Sequence, residues 1–121
     1  MENVSSVEKM ESIKSFQSTI SKSEKALAQM TQKGANTTLL KKRLNALYIG
    51  LAMLEYVWNQ IPHPYTQEDF AEARIVLTGL FPSIENIYAK LKASSPQKTL
   101  LKRRIKALEL AVQAIDNLSN E

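Results

Sequence analysis

TLLKKRLNAL, at residues 38–47, returns as TLLKRRIKAL at residues 99–108. Seven of the ten positions are identical, and two more exchange Lys for Arg and Leu for Ile. The two copies stand 61 residues apart in a chain of 121 residues, which is half its length. This internal repeat predicts a protein built from two similar halves, with one copy at the same place in each.

Each copy opens a long apolar pattern with helical spacing. Apolar side chains recur every three or four residues after both copies, which is typical of helices that pack at shallow angles. We predict helix two and helix four from these patterns, with apolar seams of Leu40, Leu44, Leu47, Leu51, Leu54 and Trp58 in helix two and of Leu101, Ile105, Leu108, Val112 and Ile115 in helix four.

Helix two differs from helix four on its second face. Tyr48, Ala52 and Tyr56 make that face of helix two apolar, whereas helix four is polar at the matching positions. We therefore expect helix two to be the central helix and helix four to bury only one side.

The other two helices are marked by residues that start and stop helices. Helix one is predicted from Ser5 or Ser6 to about Gln32, because serine caps helices and Gly34 can end one. Its apolar stripe is thin and comprises Ile13, Phe16, Ile20, Leu27 and Met30.

A proline-rich connector at residues 61–65 separates the halves, since each proline blocks helix geometry. Thr66 and Asp69 then predict a capping box at the start of helix three. Apolar spacing continues unbroken past Pro82, which favours one helix there. Pro96 suits the first position of helix four.

These elements predict an all-α fold, an antiparallel four-helix bundle made of two similar helical hairpins. The single domain would cover residues 1–121, with hairpin one at about 5–60 and hairpin two at about 66–118. An open pair of hairpins that closes only by dimerising is the alternative.

Composition narrows the function classes. The chain has no cysteine, which excludes disulfides and thiolate chemistry. Its N-terminus lacks a secretory pattern, and its longest apolar run is too short to cross a bilayer, so we expect a cytoplasmic protein. No nucleophile, metal-ligand or cofactor motif is recognisable. We expect no cofactor, no metal site and no enzymatic activity.

A basic pole is the first candidate site. Eleven of the sixteen Lys and Arg residues lie near the two turns within the hairpins, and most carboxylates are expected at the opposite end. Free amide groups at a helix start, together with Lys and Arg, can hold an anion. Equally, these side chains could be solvated remnants of the ancestral hairpin. The candidate residues are Lys41, Lys42, Arg43, Lys102, Arg103, Arg104 and Lys106.

The face of Tyr48, Ala52 and Tyr56 is the second candidate site, as a partner interface. The alternative, which we favour, is that helix one covers it. His63 is the only histidine, and between two prolines we expect it to be an exposed loop residue.

These features favour a non-enzymatic adaptor or regulator whose basic pole binds an acidic protein partner. A nucleic-acid-associated protein that contacts phosphates through the same pole is the alternative, and an anionic membrane surface and a homodimer stay open as partners. In size and class the chain is similar to bacteriocin immunity proteins and phage regulatory adaptors, although no motif carries this likeness.

Overall fold

The computed structural model describes residues 4–119. Four helices span this range: α1 (Ser6–Gln32), α2 (Thr38–Asn59), α3 (Gln67–Lys90) and α4 (Pro96–Ser119). The described residues contain no β-strand. The predicted all-helical class, with four helices at these places in the chain, is confirmed.

Two helix starts are capped in the same way. The Ser5 side chain accepts a hydrogen bond from the backbone N–H of Glu8 at 3.1 Å. The Thr66 side chain accepts one from the backbone N–H of Asp69 at 3.2 Å, and the Asp69 carboxylate accepts one from the backbone N–H of Thr66 at 2.9 Å. The predicted capping box is confirmed. Thr66 and Asp69 stand 61 residues after their counterparts in the first half, Ser5 and Glu8.

Single residues fix the other helix boundaries. Gly34 adopts a left-handed φ of 71° just after α1, a conformation that glycine adopts without steric cost. Pro96 is the first residue of α4, where its missing N–H has no helical partner to lose. Pro82 lies inside the continuous helix α3, as the unbroken apolar spacing predicts.

α2 and α4 form the centre of the molecule. Each contacts all three other helices, whereas α1 and α3 contact α2 and α4 but, within residues 4–119, not each other. Phe16 of α1 and Leu77 of α3 both reach Gly50 of α2 and are themselves buried. These contacts are compatible with a four-helix bundle.

The burial pattern of α4 corrects one expectation. Over residues 107–118 the sequence of buried, half-buried and exposed positions is the same as over residues 46–57 of α2. α4 is therefore as central as α2, and the prediction of a one-sided helix four is wrong. Leu110, Ala111 and Ala114 bury a second side of α4, where small alanine side chains permit close packing.

The start of α1 lies beside the start of α4. Glu11 and Arg103 form an ion pair there, with an oxygen-to-nitrogen distance of 2.7 Å. In a regular up-down-up-down bundle these helix starts would lie at opposite ends. The expected separation into one basic and one acidic pole is therefore wrong, because Glu8 and Glu11 share a surface depression with Lys102 and Arg103.

Candidate functional site

The seven predicted basic residues divide into a surface group and an inward group. Lys41, Lys42, Arg43, Lys102 and Arg103 are exposed, whereas Arg104 and Lys106 are half-buried. The divided group follows from helix geometry, since consecutive residues on a helix point in different directions. The basic stretches therefore offer both surface charge and a cation that faces the interior.

Part of the surface charge is balanced by carboxylates. Arg103 pairs with Glu11, and the two side chains are 48% and 32% exposed. On the matching side of the other half, Lys42 and Glu72 line one depression between α2 and α3. Neither Lys41 nor Arg43 has an ion-pair partner within the part of the chain that the structure describes.

Two exposed leucines accompany these charges. Leu39 is 60% exposed and Leu100 is 56% exposed, and they occupy the same position in the two repeat copies. Each lies one helical turn before an exposed cation, Lys42 or Arg103, and therefore on the same helix face. We call these two pairs the leucine–basic patches. Sequence reasoning missed them, although both leucines fall outside the predicted apolar seams.

The second predicted site is only partly covered by α1. The hydroxyl of Tyr48 donates a hydrogen bond to the carboxylate of Glu24, and this bond raises the pKa of Tyr48 above its ordinary value. Tyr48 nevertheless stays 36% exposed and Tyr56 39% exposed, while Ala52 is half-buried. The role of this face as an interface stays a prediction.

His63 is half-buried rather than exposed, so the expectation for this residue is wrong. Its ring makes edge contacts with Tyr56 and Phe70, with ring centres 4.9 Å apart in both pairs. Its Nδ1 accepts a hydrogen bond from the backbone N–H of Tyr65 at 3.2 Å. These contacts give His63 a packing role in the connector between α2 and α3.

An apolar cavity of about 220 Å³ lies among all four helices. Arg43 and Arg104, which are equivalent in the repeat, both line it, and so do the buried equivalents Leu47 and Leu108. Nε of Arg104 is buried and has no hydrogen-bond partner among the described residues 4–119. Burial lowers the pKa of Arg104 from its ordinary value, because a charged group loses solvation there.

Other kinds of site are not apparent in residues 4–119. No group of three or more His, Cys, Asp or Glu side chains in this range could hold a metal ion. None of the helices in the described range combines the length and apolar character needed to cross a bilayer.

Comparison with known proteins found no matching family, no matching curated protein and no matching solved structure. We therefore infer function only from the residues and their geometry.

Proposed function

We propose that this protein is a non-enzymatic adaptor or regulator that binds an acidic partner protein through basic surfaces on α2 and α4. The pair of leucine–basic patches is the observation that supports this function best. Each patch places an apolar side chain and a cation on one helix face, and the repeat supplies it twice. Arg103 would exchange its ion pair with Glu11 for a carboxylate of the partner, at little cost because surface ion pairs contribute only about 0–1 kcal/mol. Such a surface fits an amphipathic helix that presents leucine and glutamate one turn apart.

We also infer that the chain is a single domain, a four-helix bundle that arose by duplication of one helical hairpin. Support comes from the sequence repeat, from capping serine and threonine 61 residues apart, and from the matching burial of residues 46–57 and 107–118. Duplication explains why two equivalent patches exist. A partner with two acidic segments could then engage both patches and gain affinity by linkage.

A display library of helical peptides tests the proposed function. Each peptide would carry leucine or alanine at one position, and glutamate, glutamine or lysine at a second position one helical turn away. Peptides would be selected for binding to the full chain at low salt. We expect enriched peptides to carry paired leucine and glutamate. One peptide covers the leucine of one patch, and a leucine contributes about 1.5–3 kcal/mol to an interface when fully covered. Peptide affinity should therefore fall by at least about tenfold in a Leu39→Ser/Leu100→Ser variant.

Met10→Ser is the matched control. Met10 is 52% exposed, and it lies in a depression with Lys9 and Trp58 that is lined by none of the four patch residues. Peptide binding should survive this change. Selected peptides without acidic residues, or equal binding by the Leu39→Ser/Leu100→Ser variant, would contradict the proposal.

Labelled duplex DNA tests the alternative function on the same protein. Each neutralised phosphate contributes about −0.9 to the slope of log affinity against log salt. Steep salt dependence that disappears when Lys102, Arg103 and Arg104 are changed to glutamine would favour phosphate contacts over a protein partner.

A further inference from the structure

The four-helix cavity lies where the two halves of the molecule meet. Arg43 and Leu47 of α2 line it together with Arg104 and Leu108 of α4. Arg104 and Leu108 are the repeat counterparts of Arg43 and Leu47, 61 positions later in the chain. The cavity therefore contains the same contribution from both halves. None of the four residues of the leucine–basic patches lines this cavity.

Divergence between the halves explains why space remains in the cavity. α1 contributes Thr19 and Ser23, whereas α3 contributes Leu80 and Ile84 at the equivalent positions. Threonine and serine are smaller than leucine and isoleucine, so the α1 side of the cavity is less filled. Thr19 directs its hydroxyl to the backbone oxygen of Ser15 at 2.8 Å, which leaves its methyl group to line the space.

The charge in the cavity is of one sign. Arg43 and Arg104 both line it, and neither Asp nor Glu is among its described lining residues. Nε of Arg104 is buried and finds no hydrogen-bond partner among residues 4–119, and a buried donor left unpaired is unfavourable. A carboxylate would bind the planar guanidinium fork from the cavity, and a small turn of the Arg104 side chain would let it accept from Nε as well.

We propose that this cavity binds a small carboxylate with an apolar chain, with the carboxylate at Arg104 and Arg43 and the chain between Leu47 and Leu108. A dry cavity of about 150 Å³ accommodates benzene, so about 220 Å³ corresponds to roughly ten non-hydrogen atoms. Octanoate has this size. The site is separate from the proposed partner surface, so either can fail without the other.

Octanoate is the probe, and the Nε–H signals of arginine in ¹⁵N-labelled protein are the readout. We expect octanoate to shift the Arg104 signal and to leave Arg74 unchanged, because Arg74 lies on the surface and pairs with Asp116. Acetate lacks the apolar chain and octanol lacks the charge. Both should bind at least about tenfold more weakly, since one charge-assisted hydrogen bond or a few buried methylene groups has that effect.

Two variants separate the contributions of charge and space. Arg104→Gln should weaken octanoate binding about tenfold. Thr19→Leu/Ser23→Ile gives α1 the side chains that α3 carries at these positions and should abolish binding by filling the cavity. Far-UV circular dichroism and thermal unfolding would check that both variants are folded. If the double variant is unfolded, Ser23→Leu alone is the milder cavity-filling replacement.

Octanol binding as tight as octanoate binding would overturn the proposal, because the arginines would then have no role. Undiminished octanoate binding by the folded cavity-filled variant would overturn it as well. A shift of Arg74 equal to that of Arg104 would show general surface association and would contradict the assigned site.

Discussion

Gly50 is a residue at which three helices pack closely in the interior. A methyl group there would lie 2.9 Å from Cε1 of Phe16 and 3.3 Å from Cδ1 of Leu77, and both of these side chains are buried. Alanine favours a helix over glycine by about 0.8–1 kcal/mol, but overpacking a core costs about 1–3 kcal/mol. We expect Gly50→Ala to lower the free energy of unfolding by about 1 kcal/mol, measured by urea denaturation.

Gly79→Ala is the matched control for that prediction. Gly79 also lies inside a helix, but it is exposed and a methyl group there would meet nothing within 4 Å. Alanine should therefore stabilise the protein by about 0.5–1 kcal/mol, which is the usual gain over glycine in a helix. Equal stabilisation by both alanine variants would contradict the close packing of Phe16 against Gly50. Phe16→Leu should relieve the effect of Gly50→Ala.

Helices α1 and α3 begin where short polar motifs cap them. Thr66→Ala removes the acceptor for the backbone N–H of Asp69, and Ser5→Ala removes the one for Glu8. We expect each change to lower the free energy of unfolding by about 1 kcal/mol, as is usual for loss of a cap. Thr66→Ser keeps the acceptor and should be nearly neutral in the same urea titration. A loss as large as that of Thr66→Ala would contradict the capping role.

Helix boundaries were predictable from the sequence because local chemistry sets them. Thr66, Gly34 and Pro96 act on their own neighbours, through a cap, a left-handed turn and a missing N–H. The crossing of helices is a property of distant contacts, so the pairing of Glu11 with Arg103 had no local signal. The second buried side of α4 was missed because alanines carry a weak apolar signal, although they pack closely.

The candidate site shows the same division between local and distant information. Arg43 and Arg104 are indistinguishable within the repeat, yet Arg43 is exposed and Arg104 is half-buried. Their neighbours on other helices make this difference. The sequence locates the basic stretches in the chain, but it could not show that both arginines line a cavity or that only Arg104 is half-buried.

At the scale of the whole molecule, the helix contacts follow the same order in the two halves. α1 packs on α2 as α3 packs on α4, and α4 contacts α1 as α2 contacts α3. The comparison of the α4–α1 pair with the α2–α3 pair is informative, because of these two pairs only α2 and α3 are joined directly by a connector. Contacts between α4 and α1 form without one, so packing and not chain connectivity must hold that pair together.

A circular permutant tests this symmetry. The chain would be opened between Ile61 and Pro62, which are exposed, and the end of α4 would be joined to the start of α1 by a copy of residues 60–66. In a molecule with equivalent halves this connector has the required length, and an exposed connector is the kind of site at which permutation is tolerated. We therefore expect unchanged helix content by far-UV circular dichroism. The free energy of unfolding should stay within about 1–2 kcal/mol of that of the original chain. A permutant that folds only with a long flexible glycine–serine linker would retain the four packed helices but contradict their equivalence, because the α4–α1 gap would then exceed the α2–α3 gap.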